Sequence, residues 1–557
     1  MLPVWVVFST GTDLTGTTSN LQPMPGYSQS EPPNLRRRLL VALGFGAATA
    51  AIGRSLPDDG SIDVALESTS PTTPPADDSA VASSTPTTTA PVLTEPPAMA
   101  GAGPEVDLAT HVFDVVIRGG RVIDPMSGFD GVLTVGLNGG VITAITAGEP
   151  LPAEVEIDAT GRVISPGFVD ILSYEPNPVG VWTKAADGVT TNLAMHGVNN
   201  YAPAFFNRYA GNSPIHFGGA FHQHFMRGED LKARPDVALD EAQVTEFAAL
   251  ARQSLGTGFA GIAFSPEYSP ATSAAEIEAL AVVAAEFGHT AFFHTRSSDP
   301  ATSLSGVIEA LDLGRRTGIA VHISHFHSTG ATNHMVEAIA AIEAARADGV
   351  DATACVYPYD FWATTLQSFR FVGDWQTRYG LTYEDLQVAG TGTTLTADTY
   401  NAAFAENQLV AALSSIDQAE IDLALAQPWV MLGSDAILES DQNNHPRASG
   451  SFSRLLGGYV RDRGVLSLGD ALAKVTSMPT QLVEAMIPAM RRKGRLQRGA
   501  DADLTIFDPA TIVDRATIDA PGTPSWGIDH VFVGGRRVIA DGEARRTVFP
   551  GQPLTSG

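Results

Sequence analysis

Histidines and one aspartate occur at or just after the ends of several short apolar segments of this sequence. The residues in these positions are His196, His294, His325, Asp435 and His445. Any one of the histidines could be an ordinary hydrogen-bonded residue of the core or surface. Unrelated histidines are not expected to recur at such positions, so His294, His325 and Asp435 together indicate a functional site.

These residue types predict a particular chemistry. Imidazole nitrogens are common zinc ligands, and a catalytic zinc ion keeps one position open for water. The ion lowers the pKa of that water and polarises a carbonyl group, while a carboxylate such as Asp435 can carry the proton to a leaving group. The only cysteine, Cys355, lies in an apolar run and is predicted to be an inert core residue. Any metal must therefore be held by histidines and carboxylates.

The elements that would bring these side chains together are eight apolar segments with the character of β-strands. They alternate with alanine-rich helical stretches and cover residues 163–169, 190–195, 215–221, 261–264, 290–293, 320–324, 353–357 and 430–434. Eight parallel strands with intervening helices predict a (β/α)8 barrel of the TIM type, whose catalytic groups lie at the C-terminal ends of the strands.

Strand-rich sequence also flanks the predicted barrel on both sides. Residues 111–164 and 491–557 contain short apolar segments punctuated by glycine, whereas residues 165–490 contain the alternating pattern of the barrel. Pairing the two flanking segments into one small composite β-sandwich is the most economical arrangement. The fold class is therefore α/β, a barrel with a satellite β-domain.

Several short motifs resemble the amidohydrolase superfamily, and most closely its D-aminoacylase branch, the N-acyl-D-amino-acid deacylases. The resemblance covers residues 113–554 and rests on Pro166-Gly-Phe-Val-Asp170, Gly188-Val-Thr-Thr191, His294-Thr-Arg296, Ile323-Ser-His325, Tyr357-Pro-Tyr359, Gly433-Ser-Asp435, His445-Pro-Arg447 and Gly499-Ala-Asp-Ala-Asp-Leu504. It implies an amide-bond hydrolase of N-acyl-D-amino acids or related derivatives that uses a metal-activated water. The alternatives are another amidase or cyclic-amide hydrolase of the superfamily, or an inactive relative that only binds a ligand.

The sequence departs from that family at its first barrel strand. Where the superfamily has His-x-His, this chain has Leu172 and Tyr174, which removes the usual ligands of a second metal ion. The cysteine that holds the tightly bound metal in the branch is also missing, but His196 stands in its place. Since both residue types are ordinary zinc ligands, the resemblance implies one zinc ion held by His196, His294 and His325, with Asp435 as general base and acid.

Further residues are assigned by position. Tyr268, Tyr357, Arg447 and His327 fall where the deacylases contact their substrate, and Arg447 could bind a carboxylate through two parallel hydrogen bonds. His327 replaces a lysine that is common in the family, which leaves the amino-acid preference open. His222 and His224 could share one face of an extended segment, and either a role around the substrate or a solvent-facing position suits them.

Composition restricts the partners. The formal net charge of -27 would repel nucleic acid and anionic lipid, so a small-molecule substrate is expected, with no nucleic acid and no obligatory membrane partner beyond an export machinery.

The N-terminal residues predict export from the cytoplasm. Arg36 and Arg37 precede an apolar run over residues 39–53, which is typical of a twin-arginine signal peptide within residues 1–54. An uncleaved membrane anchor is the alternative. Residues 55–110 are rich in Thr, Ser and Pro and are predicted to form a disordered linker.

Overall fold

The computed structural model describes residues 93–147, 151–439 and 445–557, which lie within one compact unit. The predicted signal peptide and residues 55–92 of the predicted linker lie outside the described residues. Within the described ranges, no helix combines the length and the apolar character needed to cross a membrane.

The strands of the described residues form a nine-stranded, an eight-stranded and a four-stranded sheet. In chain order they are β1 (Phe113–Asp124), β2 (Phe129–Asn138), β3 (Val141–Thr146), β4 (Ala153–Asp158), β5 (Val163–Pro166), β6 (Phe168–Asp170), β7 (Val189–Val198), β8 (His216–His222), β9 (Ile262–Phe264), β10 (Ala291–Phe293), β11 (Val321–Ile323), β12 (Ala352–Val356), β13 (Trp362–Thr365), β14 (Leu386–Val388), β15 (Thr393–Thr394), β16 (Leu409–Ala412), β17 (Val430–Leu432), β18 (Leu504–Phe507), β19 (Ile528–Val533), β20 (Arg536–Ala540) and β21 (Glu543–Ala544).

The helices of the described residues lie mostly between the strands of the eight-stranded sheet. They are α1 (Gly180–Ala186), α2 (Ala202–Tyr209), α3 (Gln223–Glu229), α4 (Glu241–Leu255), α5 (Ala274–Glu286), α6 (Ser303–Thr317), α7 (Met335–Ala347), α8 (Trp375–Tyr379), α9 (Ala397–Ala405), α10 (Gln418–Leu425), α11 (Arg447–Arg454), α12 (Leu468–Val475) and α13 (Ser477–Val483). Short 3-10 turns cover Phe326–Ser328, Phe369–Phe371 and Pro488–Arg492, and a π-helical stretch covers Leu455–Asp462.

The eight-stranded sheet is the predicted barrel. Its strands are parallel and ordered β17-β12-β11-β10-β9-β8-β7-β6, so every sequence-predicted strand is confirmed. Their residues are buried except for the half-buried Thr353, as expected where helices cover the outer face and side chains fill the interior. The two ends of the series meet where the Asp435 N–H donates to the Leu172 carbonyl oxygen over 2.7 Å.

The first predicted strand is divided between two sheets. Residues Val163–Pro166 pair with β1 and β18 outside the barrel, and Phe168–Asp170 pair with β7 inside it. Gly167 separates the two strands, and a Cβ atom there would lie 2.2 Å from the Thr190 hydroxyl oxygen. Only glycine allows the chain to pass this close to β7.

The two flanking segments pair as predicted, because β5 and β18 run antiparallel from Val163–Pro166 to Leu504–Phe507. Their strands are hydrogen-bonded into one nine-stranded sheet. The long strand β1 connects its parts, since it pairs with β4 before a register irregularity between Ile117 and Gly120 and with β5 after it. Apolar side chains of both segments share one core.

Residues 93–110 fall within the predicted disordered linker. In the structure they instead pack against the β-domain. The Met99 N–H donates to the Arg498 carbonyl oxygen over 2.9 Å, and Val106 and Leu108 pack against a buried cluster that includes Phe113. These apolar side chains distinguish this stretch from the Thr/Ser/Pro-rich sequence before it.

A small sheet of four strands, β13 to β16, is inserted between barrel strands β12 and β17. The sequence analysis did not anticipate it. Its strand β13 and the following 3-10 turn carry Trp362 and Arg370 to the C-terminal mouth of the barrel, where both side chains are buried.

Candidate metal centre and active site

Three histidines converge at the C-terminal mouth of the barrel. His196 lies near the end of β7, while His294 and His325 follow β10 and β11. Each offers a nitrogen within 4.8 Å of those of the other two, and all three side chains are buried. The shortest approach is 3.1 Å, between His294 Nδ1 and His325 Nε2. The fold thus brings the three predicted ligands to one point.

Local backbone geometry directs His325 toward the other two histidines. The residue adopts a left-handed conformation with φ of 32° immediately after β11, which is unusual for a residue other than glycine. Its N–H donates to Cys355 Sγ over 3.4 Å. Cys355 is buried as predicted, and burial raises the pKa of its thiol, so it stays protonated and inert.

Glu267, which the sequence analysis did not select, orients His294. Its Oε2 lies 2.6 Å from His294 Nε2, so that nitrogen donates a proton and Nδ1 keeps its lone pair toward His325. A carboxylate behind a ligating histidine is the usual way in which proteins fix the tautomer at a metal site. The only sequence signal was its place beside Tyr268, after barrel strand β9.

Arg370 is a second functional candidate that the sequence analysis missed. Its Nε lies 3.2 Å from Glu267 Oε2, and its Nη2 donates to the Ser328 carbonyl oxygen over 3.0 Å. Burial raises the pKa of Glu267, but the charge of Arg370 and the hydrogen bond from His294 outweigh it and hold that pKa well below its usual range. The inserted sheet therefore supports the histidine cluster through this ion pair.

Asp435 follows β17 and faces the histidines. Its Oδ1 lies 3.3 Å from His196 Nδ1, and its Oδ2 lies 3.9 Å from His325 Nε2 and 3.0 Å from Arg447 Nη2. Burial raises the pKa of this carboxyl group, but Arg447 and the two histidines outweigh burial and hold it well below the usual range. Asp435 is therefore ionised at neutral pH and can accept a proton.

A buried ion pair holds the backbone beside Asp435. Lys184 Nζ lies 2.6 Å from Asp170 Oδ2, and the Ser434 hydroxyl and N–H donate to the same carboxylate over 2.6 and 3.0 Å. Asp170 ends the first barrel strand and Ser434 follows the last, so these contacts join the two strands that close the barrel. It fixes the position from which Asp435 projects.

Three of the four predicted substrate contacts line one cavity with the histidine cluster, and the fourth, His327, lies outside its lining. Tyr268 packs with its ring centroid 4.6 Å from that of His294, and the Arg447 guanidinium lies 4.4 Å above the Tyr357 ring. These three side chains, together with the metal-ligand candidates, line a small cavity of about 30 Å³. His327 lies behind Tyr357, with ring centroids 4.2 Å apart, and neither of its ring nitrogens has a hydrogen-bonding partner.

The remaining histidines of this region lie outside the three-residue cluster. His222 Nδ1 lies 2.7 Å from Asn199 Oδ1, and its ring centroid lies 6.0 Å from that of His196, while His224 Nδ1 contacts the Ser269 hydroxyl. Both ring nitrogens of His445 bond to backbone, at Phe361 and at the N–H of Arg447. His445 thus has a structural role.

The departure from the family at the first strand is visible in the site. Leu172 is fully buried in an apolar cluster with Cys355, and it offers no donor atom. The Tyr174 side chain instead reaches the cavity, and its hydroxyl lies 3.3 Å from Asp435 Oδ1. Within the described ranges, His196, His294 and His325 are the one group of three or more ligand-type side chains close enough to share an ion.

Comparison with known proteins places this site in a family. A model of the amidohydrolase family matches residues 223–539. The chain is 32% identical over 469 residues to N-acyl-D-glutamate deacylase of Alcaligenes xylosoxydans xylosoxydans, covering 76% of this chain and 93% of that one. The chain belongs to the amidohydrolase family. Within it, this amidohydrolase lies in the D-aminoacylase branch and is a hydrolase of carbon–nitrogen bonds other than peptide bonds.

Two further relatives support the same branch. The amidohydrolase is 27% identical over 465 residues to a D-aminoacylase of the same Alcaligenes, covering 76% of this chain and 94% of that one. The solved structure of N-acyl-D-glutamate deacylase from Bordetella bronchiseptica, complexed with zinc and a phosphonate mimic of the tetrahedral intermediate, matches with 28% identity and a TM-score of 0.69. That match covers 80% of this chain and 100% of the other.

The donor set of the amidohydrolase fits a metal ion on its own geometry. Nitrogens that share a tetrahedral zinc ion at the usual bond length lie about 3.3 Å apart. The 3.1 Å between His294 Nδ1 and His325 Nε2 is close to that spacing. Burial lowers the pKa of both imidazoles, which keeps them neutral and able to ligate.

Proposed function

We propose that this amidohydrolase removes the acyl group from N-acyl-D-amino acids, using one zinc ion held by His196, His294 and His325. The observation that carries the proposal is the convergence of three imidazole nitrogens beside the ionised carboxylate of Asp435. The matches to the two deacylating relatives cover nearly the full lengths of those proteins. This coverage supports assigning the same substrate class to this chain.

A zinc ion in this position would polarise the amide carbonyl group and lower the pKa of the attacking water. The three histidines would supply three protein ligands, which leaves room for water and substrate. Leu172 has no ligand atom, and Tyr174 is occupied with Asp435, so the described residues support one ion and not two.

Asp435 is placed to move the proton in this reaction. Its carboxylate accepts the proton of the attacking water as the new carbon–oxygen bond forms, and then delivers it to the amide nitrogen as the carbon–nitrogen bond breaks. The products are a carboxylic acid and a free amino acid. Burial raises the pKa of Asp435, but Arg447 and the neighbouring histidines hold it below the usual range, so the carboxylate is ionised before substrate arrives.

Arg447 is placed to bind the carboxylate of the substrate. It is buried, its Nη2 pairs with Asp435 Oδ2, and its Nε has no hydrogen-bonding partner. A buried donor without a partner is costly, so a ligand group that accepts from Nε would be stabilised. Arg447 can therefore hold a substrate carboxylate next to the residue that moves the proton.

The test is metal analysis of the purified protein together with hydrolysis of N-acyl D- and L-amino acids and cyclic amides. We expect about one zinc ion per chain and turnover of D-substrates. Two ions per chain would contradict the single-ion model and would direct attention to His222 and His224. Hydrolysis of cyclic amides alone, or ligand binding without turnover, would instead support one of the alternative functions.

We also propose that the chain is exported through its N-terminal residues. The support is the sequence alone, Arg36 and Arg37 followed by the apolar run over residues 39–53. Residues 24–110 fused to a reporter that works only outside the cytoplasm should give a signal. Replacing both arginines by lysine should abolish it if the twin-arginine route is used, and a complete lack of export would refute the localisation.

A further inference from the structure

Tyr174 occupies an unusual place in the site, between the proposed proton carrier and one proposed metal ligand. Its hydroxyl donates to Asp435 Oδ1 in a long hydrogen bond of 3.3 Å. Its ring lies against the imidazole of His196, with ring centroids 4.8 Å apart and planes inclined by 36°. No other tyrosine of the described residues donates to Asp435 in this structure.

The backbone around Tyr174 is held in place. The Ser173 N–H donates to the Leu193 carbonyl oxygen, and the Asn192 side-chain amide donates to the Tyr174 carbonyl oxygen, both over 3.0 Å. Leu193 and Asn192 both belong to β7. These bonds therefore fix the backbone that carries the Tyr174 ring relative to the barrel strand that carries His196. The hydroxyl is therefore presented to Asp435 by rigid elements.

The other groups around Asp435 do not fix both of its oxygens once an ion is bound. Arg447 Nη2 lies 3.0 Å from Oδ2, and His196 Nδ1 lies 3.3 Å from Oδ1. His196 Nδ1 has no hydrogen-bonding partner in this structure, and a nitrogen that ligates an ion has no proton to donate. Among the described side chains, the Tyr174 hydroxyl is therefore the donor to Asp435 Oδ1.

We propose that Tyr174 is a positioning residue for Asp435, and that its hydroxyl keeps the carboxylate turned so that one oxygen faces the attacking water. The proposal rests on the proposed function of Asp435 as proton carrier. Tyr174 itself neither ligates the ion nor exchanges a proton. Its contribution is to restrict rotation of the carboxylate, and small losses of alignment at a reacting group have large effects on rate.

Tyr174→Phe separates this role from packing, because phenylalanine keeps the ring against His196 and removes only the hydroxyl. We expect kcat to fall about tenfold, in line with the loss of one hydrogen bond to a charged group, while KM changes by less than about twofold. Zinc content should stay at the wild-type value. The matched control is Tyr209→Phe, whose hydroxyl donates to Glu175 Oε2 over 3.1 Å away from the cavity and should leave kcat unchanged.

A second measurement does not depend on turnover. In crystal structures of the zinc-loaded proteins, the Asp435 carboxylate should adopt one orientation in the wild type and more than one in Tyr174→Phe. Unchanged kcat together with a single unchanged Asp435 orientation in the variant would overturn the proposal. Loss of zinc from Tyr174→Phe would also overturn it, since Tyr174 would then act on the ion.

The outcomes also distinguish this proposal from the proposed function. If the wild-type protein hydrolyses none of the N-acyl amino acids, the substrate assignment fails, and the orientation of Asp435 in the two crystal structures still decides the role of Tyr174. If the wild type is active and the variant is equally active with an ordered Asp435, the substrate assignment stands and the positioning role fails.

Discussion

Two groups of buried polar side chains, one at each end of the barrel, differ in whether their polar atoms have hydrogen-bonding partners. At the C-terminal mouth, buried atoms without a hydrogen-bonding partner include His222 Nε2, both ring nitrogens of His327 and Arg447 Nε. At the other end, where β8 begins, His216 and the charged residues Asp503 and Lys493 are equally buried, and all three are paired.

The paired network at the N-terminal end joins three parts of the chain. Asp503 Oδ1 lies 3.1 Å from His216 Nε2, and its Oδ2 lies 2.8 Å from Lys493 Nζ. The Gln552 N–H donates to His216 Nδ1 over 3.1 Å, and the C-terminal tail continues along β8 to Leu554, which is buried. The network attaches the C-terminal segment beneath the barrel.

The difference shows which end serves stability and which serves chemistry. Buried polar groups normally find partners, because an unpaired one loses the free energy of its contact with water. Several unpaired polar atoms lie together where a bound ligand can supply the missing hydrogen bonds. The C-terminal mouth is therefore less stable than a fully paired core, and it is suited to binding and catalysis. We therefore expect substitutions at the two ends to separate activity from folding.

The largest effect should come from Asp435→Asn at the mouth. The amide keeps the shape of the side chain but cannot carry the proton, so kcat should fall by about two to four orders of magnitude. Zinc content should remain near the wild-type value, because Asp435 is not one of the three proposed ligands. Steady-state kinetics and metal analysis on the same preparation test this. Activity within tenfold of wild type would remove Asp435 from the mechanism.

The opposite pattern is expected for Asp503→Asn at the N-terminal end. Removing this charge leaves His216 beside a neutral amide and leaves the buried Lys493 with Asp501 as its remaining carboxylate partner, which should lower the free energy of unfolding by about 1 to 3 kcal/mol. Urea denaturation measures the loss. The control is Asp312→Asn, which breaks an exposed ion pair with Arg315 and should change stability by less than about 1 kcal/mol. The folded fraction of Asp503→Asn should keep its kcat.

A smaller effect is expected from Glu267→Gln, which weakens the support of one proposed ligand. The amide no longer holds His294 with a full negative charge, so zinc affinity should fall about 10- to 100-fold. Competition with a chelator measures this affinity. Glu286→Gln, at an exposed ion pair with Arg252, is the control and should leave zinc affinity unchanged. Equal affinities in both variants would show that Glu267 does not act on the ion.

A further prediction concerns the dependence of stability on pH. Burial lowers the pKa of both His322 and His327 to about 3, so each stays neutral in the folded protein while its unfolded counterpart binds a proton below about pH 6.5. The unfolded state then binds more protons, and stability should fall as pH decreases below 6.5, by up to about 1.4 kcal/mol per pH unit for each histidine.

His322→Gln tests that dependence, because it removes one of these groups without touching the metal centre. Its free energy of unfolding, measured in urea on metal-free protein at several pH values from 7 to 4, should fall less steeply than that of the wild type. Identical slopes for the two proteins would mean that burial does not keep His322 neutral.

Much of the site could be predicted from the sequence because its signals are local. The barrel strands are short apolar runs, and His294, His325 and Asp435 follow such runs directly, so one periodic pattern identified both the fold and the candidate residues. The family motifs could also be recognised in the sequence, as could His196 in the place of the family's cysteine. Each of these signals lies within a few consecutive residues.

Tertiary structure decided which distant residues support those groups. Glu267 and Arg370 are separated by about a hundred residues and meet only because the inserted sheet folds over the mouth. The contact between Tyr174 and Asp435 joins the segments that follow the first and last barrel strands, which only closure of the barrel brings together. A sequence pattern reports what each segment buries, whereas the partner of a buried polar atom depends on how segments far apart in the chain pack against one another.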